Sequence, residues 1–239
     1  MVSRKIIFIL LLVAFSAYSK GQTLEKIIAN YINYSGGEKQ WGKIKTIISS
    51  GTYNYGGLEF PFEAYAKAPN RYKYIVGTGD RSFIQSFNGA SGWKIDGFKG
   101  ETAKTMLSGN DARAMANEAD VDLESPFINY QQKDYEAVLE GRKPVNNMDC
   151  YQVKLIRSTD TAIYFFNVND FSLVKKQAIS KNAELDRSLL DTYYSDYQMV
   201  EGIKQPFKMI SKIGDQTILT ITVQKIQLNT AIDDSIFKP

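Results

Sequence analysis

Apolar residues follow a helical spacing in two parts of this chain and an alternating spacing in most of the rest. The first helical pattern covers residues 23–34 and ends at Gly36-Gly37. Its apolar positions, which share one helical face, are Leu24, Ile27, Ile28, Tyr31 and Ile32. The second pattern covers residues 101–119, and its face of small residues and one thioether consists of Ala112, Met115, Ala116 and Ala119. The patterns predict two modest helices.

Alternating apolar and polar residues predict a long series of strands. Residues 58–67 show the alternation clearly. The even-numbered residues from Leu58 to Ala66 are all apolar and face one way, while Glu59 and Glu63 face the other. The predicted strands are 44–55, 58–67, 71–76, 81–87, a short segment around 93–95, 134–140, 149–157, 161–166, 172–179, 188–199, 203–212 and 216–228. Strands joined in series by short turns indicate one antiparallel sheet. We therefore predict a mainly β (α+β) fold with a single large curved sheet of about 11–12 strands.

A sheet of this length curls, and its concave side needs a cover. Two modest helices provide little cover for so many strands, and a lid of alanine and methionine side chains packs loosely. We therefore expect an incompletely filled apolar concavity, which is a binding site for an apolar ligand. The alternative is that the same side chains fill an ordinary core. The residues expected to line the concavity are Phe60, Phe62, Tyr72, Tyr74, Phe83, Phe87, Trp93, Ile95, Met106 and Met115.

The first twenty residues have the pattern of an export signal. Two cations precede a run of ten apolar residues, and the small residues Ala17 and Ser19 follow at a spacing that signal peptidase accepts. Ten apolar residues are about half of the ~20 that span a bilayer. We expect residues 1–19 to form a cleaved signal peptide, with Gly21 as the alternative end, and residues 20–239 to form one domain. A retained membrane anchor is the alternative.

Composition excludes several classes of chemistry. The chain has no histidine and one cysteine, so it has no Ser-His-Asp triad, no imidazole zinc site and no internal disulfide. Removing the signal peptide lowers the formal net charge from +3 to +1. A net charge so close to zero does not indicate binding of nucleic acid. The acidic residues Asp120, Asp122 and Glu124 lack the spacing of a calcium loop. We expect neither an enzyme nor a metal, cofactor or nucleic-acid site.

The order of the predicted elements resembles the LolA/LolB lipoprotein-carrier superfamily, and especially its exported members described as outer-membrane lipoprotein-sorting proteins. The likeness extends over nearly all of residues 20–239, and its specificity lies in the order of several short sequences. Those sequences are Tyr34-Ser35-Gly36-Gly37 before Ile44-Lys45-Thr46, Phe87-Asn88-Gly89 before Gly92-Trp93-Lys94-Ile95, residues 118–130 with Ser125-Pro126-Phe127, residues 147–155, Tyr193-Tyr194-Ser195-Asp196-Tyr197, and residues 201–207.

The resemblance implies an unclosed β-barrel that holds an acyl chain under a helical lid. The signal segment predicts that the protein is exported to the periplasm and cleaved, and the lack of a cysteine next to the cleavage site predicts that it is not lipidated. The implied partners are the acyl chains of a lipid or lipoprotein and an envelope membrane protein, and we expect a monomer. The alternative is an envelope lipid-sensing or protein-interaction module with the same fold and no transport role.

The first prediction concerns export. If the signal peptide is cleaved, amino-terminal sequencing of the purified protein should begin at Lys20 or Gln22, and osmotic shock should release the protein. Recovery of a chain that still begins at Met1, in the membrane fraction alone, would contradict export as a released protein.

Overall fold

A computed structural model describes most of the chain. The described residues are 22–239 apart from 122–124, 159, 181–184 and 186. The expected signal peptide, residues 1–19, and its alternative end at Gly21 lie outside the described residues.

The strands of the described residues form one antiparallel sheet of 13 strands, which confirms the predicted fold class. In chain order they are β1 (Thr46–Tyr55), β2 (Leu58–Lys67), β3 (Arg71–Thr78), β4 (Arg81–Phe87), β5 (Gly92–Asp96), β6 (Thr105–Met106), β7 (Glu136–Val145), β8 (Met148–Arg157), β9 (Asp160–Asn167), β10 (Leu173–Ile179), β11 (Leu189–Val200), β12 (Ile203–Ile213) and β13 (Gln216–Leu228). Their order across the sheet is β6-β5-β4-β3-β2-β1-β13-β12-β11-β10-β9-β8-β7. The first and last strands pair at the centre, and the sheet remains unclosed because β6 and β7 are its two edges.

The described α-helices are α1 (Leu24–Tyr34), α2 (Glu38–Trp41) and α3 (Gly109–Val121). Short 3-10 helices lie at Gly97–Lys99, Tyr130–Lys133 and Asp234–Phe237. The hydroxyl of Thr23 caps α1 by accepting a hydrogen bond from the backbone N–H of Lys26 at 3.4 Å. Within the described residues, no helix is both long enough and apolar enough to cross a membrane.

The segment before α3 differs from the prediction. The helix predicted over 101–119 begins only at Gly109. Thr105–Met106 form the strand β6, which the sequence did not predict and which pairs with β5. Two residues are too few to show an alternating pattern, and the Ala- and Met-rich composition of the segment is typical of a helix. Helix α2 has four residues and is likewise too short to produce a helical period.

Strand register divides the side chains of the sheet between two faces. Phe62 pairs with Gly51 on β1 and with Val76 on β3, so these positions share one face. The adjacent residue Glu63 pairs with Ile75 and points to the opposite face. We call the first face, which carries α1 and α3, the inner face, and the second the outer face.

Two helices cover opposite ends of the inner face. Helix α1 buries Ile27 and Ile28 in a cluster with Phe127, against residues of β8, β9 and β10 such as Phe166. Helix α3 buries Met115 and Ala119 against Phe87 on β4, at the other end of the sheet. The central strands β2, β1, β13 and β12 lie between these two covered ends.

A carboxyl-terminal strap, residues 229–238, crosses the outer face of β1 to β5. Its main-chain carbonyl oxygens accept hydrogen bonds from side chains of the sheet and of the β5–α3 connection. The bonds are Thr46 Oγ1 to Thr230 O (2.7 Å), Lys67 Nζ to Ile232 O (2.6 Å), Trp93 Nε1 to Phe237 O (2.9 Å) and Lys104 Nζ to Lys238 O (3.2 Å). Phe237 is fully buried, so the strap gives this part of the outer face a core of its own.

The second prediction tests the central strand pair. The β1–β13 register shifts between Ser50 and Gly51, and a Cβ at position 51 would overlap the carbonyl oxygen of Thr222. Because that oxygen belongs to the backbone of β13, Gly51→Ala should destabilise the fold by about 1–3 kcal/mol in a urea melt, as overpacking does. Ser50→Ala is the control, and we expect it to change stability by less than about 0.5–1 kcal/mol. Equal stability of the two variants would contradict the close approach of the strands.

Candidate functional site

Part of the middle of the inner face is an apolar surface built from strand side chains alone. Its buried members are Phe62, Val76, Phe207 and Val223. Its half-buried members are Tyr53, Phe60, Ala64, Tyr74, Val200, Met209, Ile221 and Ile226. We call this set the sheet patch. Among the described residues, no helix contributes to it, whereas the clusters at both ends of the inner face contain helical residues.

Aromatic rings extend the sheet patch toward α3. The ring centroid of Tyr74 lies 5.9 Å from that of Tyr72 and 5.8 Å from that of Phe83. Phe60 makes an edge-to-face contact with Phe98 at 5.1 Å. Such ring pairs stabilise one another while their remaining surface stays available for contact. The half-exposed rings therefore give the patch a continuous apolar surface.

The sheet patch has no charged member, and its polar groups are tyrosine hydroxyls. Tyr74 donates a hydrogen bond to Gln85 Oε1 at 2.7 Å, which satisfies its hydroxyl within the sheet. Burial, and then the neighbouring Tyr55, raise the pKa of Tyr53 to about 12. Tyr53 is therefore neutral at physiological pH. The patch offers contact area and a few hydroxyl groups, with no acid–base pair among its members.

The structure brings three of the predicted site residues into the sheet patch: Phe60, Phe62 and Tyr74. Phe83 adjoins them through its contact with Tyr74. Tyr72, Phe87 and Met115 form the adjoining cluster beneath α3, where Met115 is 1% exposed. Seven of the ten predicted residues thus lie on the inner face, although the last three already pack against α3 or belong to it.

The other three predicted residues lie apart from these seven. Trp93 pairs with Ser86, and Ile95 pairs with Ile84, which places both on the outer face. Trp93 is 2% exposed and bonds to Phe237 of the strap. Met106 lies on the edge strand β6, where it pairs with Trp93 of β5, and it is half exposed. The structure therefore does not place these residues with the inner-face aromatics.

Sequence reasoning missed the half of the sheet patch that β1, β12 and β13 supply. These residues are Tyr53, Phe207, Met209, Ile221, Val223 and Ile226. Phe207 and Met209 are separated on β12 by Lys208 alone, so their common face could have been read from the sequence. Their proximity to Phe62 could not, because it depends on the pairing of β1 with β13, about 170 residues apart along the chain.

Comparisons with known proteins support the fold. No family model and no curated protein matches the chain. A solved structure of a DUF1329 family protein from Desulfovibrio piger aligns with a TM-score of 0.60 at 13% identity, covering 91% of this chain and 98% of the other. A LolA superfamily protein from Nitrosomonas europaea aligns with a TM-score of 0.57 at 12% identity, covering 89% and 96%.

A third solved structure, an outer membrane lipoprotein-sorting protein domain from Vibrio parahaemolyticus, aligns with a TM-score of 0.57 at 10% identity, covering 89% of this chain and 94% of the other. At this level of identity the likeness concerns the fold alone. The chain has a LolA-like fold, as the resemblance in the sequence implies.

The third prediction separates the floor of the sheet patch from its accessible part. Phe62 is buried among Val76, Phe207 and Val223, so Phe62→Ala should destabilise the protein by about 3–5 kcal/mol. Phe60 is only half buried, so Phe60→Ala should lower stability by about 1–2 kcal/mol and should weaken binding of a fluorescent fatty acid.

Urea melts and probe titrations on both variants and the unsubstituted protein measure these effects. If Phe60→Ala were as destabilising as Phe62→Ala, and if none of the three proteins bound the probe, the aromatic residues would be an ordinary core.

Proposed function

We propose that this protein is an exported binding protein that holds the acyl part of a lipid or lipoprotein on the sheet patch and carries it across the cell envelope. The observation that carries the proposal is the sheet patch on the inner face, which is built by strands alone and lies between two helix-covered ends. An apolar surface with a few polar hydroxyl groups is the usual lining of a small-molecule site. The LolA-like fold of the chain, and the name of the lipoprotein-sorting relative, support the same class of ligand.

Acyl binding here requires burial and no bond-making. Each buried methylene contributes about 0.8 kcal/mol, so a chain that buries ten of them gains about 8 kcal/mol. Part of this gain offsets the loss of freedom of the ligand and of the tyrosine and methionine side chains that it orders. The free energy of binding that remains is sufficient for a carrier, because a carrier must bind its ligand reversibly in order to release it.

Helix α3 supplies the means of changing the size of the site. Its buried contacts with the sheet come from Met115 and Ala119, and they cover Phe87. Movement of α3 would uncover this ring beside Tyr72 and Tyr74 and would enlarge the sheet patch. We propose that this helix is the lid, and that a membrane or an envelope protein offering similar burial receives the ligand.

The fourth prediction tests the site with a matched pair of variants. Met209 and Ile210 are consecutive, half-buried residues of β12, and register places them on opposite faces. Met209→Lys puts an ammonium group into the sheet patch, where desolvating it opposes acyl binding. Binding of a fluorescent fatty acid should weaken about tenfold or more in Met209→Lys. Ile210→Lys puts the same charge on the outer face, so it should bind within about twofold of the unsubstituted protein.

The same proteins should be purified from a periplasmic fraction without detergent and analysed by native mass spectrometry, with circular dichroism to confirm folding. A lipid mass retained by the unsubstituted protein and by Ile210→Lys, but absent from Met209→Lys, supports the proposal. A stoichiometric protein partner without lipid, together with unchanged probe binding in Met209→Lys, would instead favour an interaction module.

A further inference from the structure

A second concave site lies at the opposite side of the sheet from the sheet patch, where the strap leaves β13. The cavity has a volume of about 420 Å³. It is lined by Lys43, Lys45, Thr46, Lys67, Asn229, Thr230, Ala231 and Ile232. Thr46 pairs with Lys67 across β1 and β2, and both contact the strap, which places this cavity on the outer face.

The lining is basic. It contains three lysines and no acidic residue. Lys67 is already neutralised, because its ammonium group lies 2.6 Å from a carboxylate oxygen of Asp234. Lys43 and Lys45 differ from it, since their ammonium groups donate only to neutral oxygens, the side chain of Gln40 and the carbonyl of Gly42, each at 3.2 Å. Within the described residues, neither has an ion-pair partner, so two positive charges at the cavity are uncompensated.

Neutral donors adjoin these charges. The carbonyl oxygen of the Asn229 side chain accepts a hydrogen bond from the backbone N–H of Lys45 at 2.8 Å. This bond fixes the orientation of the amide and leaves its NH₂ group as a further donor beside the lysines. Two ammonium groups and an oriented amide are the donor set that a phosphate group with several acceptor oxygens requires.

The size of the cavity limits the ligand further. Small-molecule sites commonly have volumes of about 300–1,000 Å³, and a water molecule occupies about 30 Å³. A volume of about 420 Å³ is therefore larger than a bare ion needs and accommodates a phosphate with a small polar organic group attached. Ala231 and Ile232 supply a limited apolar surface for that group.

We propose that this outer-face cavity binds a phosphate monoester or diester through Lys43, Lys45 and the amide of Asn229. The site is separate from the sheet patch and does not depend on the proposed carriage of acyl chains. Its ligand chemistry is shared by soluble phosphorylated molecules and by phospholipid headgroups.

The fifth prediction uses two double variants that lower the net charge equally. Lys43→Ala with Lys45→Ala removes the two uncompensated charges, and Lys143→Ala with Lys208→Ala removes two exposed lysines of β7 and β12 that do not line the cavity. Glycerol phosphate is titrated into each folded protein at low salt, where screening is weak. Vesicles of phosphatidylglycerol and of phosphatidylcholine are tested in parallel by co-sedimentation. The site variant should bind glycerol phosphate or phosphatidylglycerol vesicles about tenfold more weakly than the unsubstituted protein, and the control variant within about twofold.

The two arms identify the source of the phosphate. Binding of glycerol phosphate that depends on Lys43 and Lys45 indicates a soluble ligand. Binding confined to phosphatidylglycerol vesicles, with the same dependence, indicates a lipid headgroup. Equal weakening in both double variants would show an unspecific charge effect and would overturn the proposal, as would the absence of binding in both arms. Fatty-acid binding should be unchanged in the site variant, so this test and the test of the sheet patch can fail separately.

Discussion

The pairing of β1 with β13 is the constraint on which the rest of this structure depends. Strands β1 to β6 form one meander and strands β7 to β13 form another, and this pair is the ladder that joins them. Without it, Phe62 and Val76 of the first meander would not meet Phe207 and Val223 of the second. The apolar surface proposed as the ligand site is therefore a product of a contact between the two ends of the chain, and it exists only in the completed fold. Contacts of such long sequence separation form late and slowly.

The helices follow from the same arrangement. Helix α1 packs against the second meander, and α3 packs against the first. One part of the junction between the meanders, with Ala66, Ile203 and Leu228, is covered by Trp41 of α2 and by Ile32 of α1. The other part is the sheet patch, to which no described helix contributes a member.

The sequence predicted the local features well, because they depend on neighbouring residues. The alternation over residues 58–67 placed Phe60 and Phe62 on one face, and the helical period of residues 23–34 located α1. The assignment of Trp93 to the same face as Phe87 failed for a physical reason. The turn after β4 aligns Phe87 with Gly92, so the next residue, Trp93, points to the outer face. A shift of one residue in strand register moves every side chain of the strand to the opposite face of the sheet. A sequence that shows where a turn lies, but not how many residues it contains, therefore does not determine the face of the residues that follow.

Much of the contact between the strap and the protein beneath it is made by the main chain of the strap. The acceptors at Thr230, Ile232, Phe237 and Lys238 are all carbonyl oxygens, which any amino acid provides, and the donors are side chains of the underlying protein. Side chains of the strap also hold it: Asn229 accepts a hydrogen bond from the backbone N–H of Lys45, Asp234 pairs with Lys67, and Phe237 is buried. Homologous chains that keep these three anchors can therefore differ at other positions of the strap and still follow the same path across the outer face.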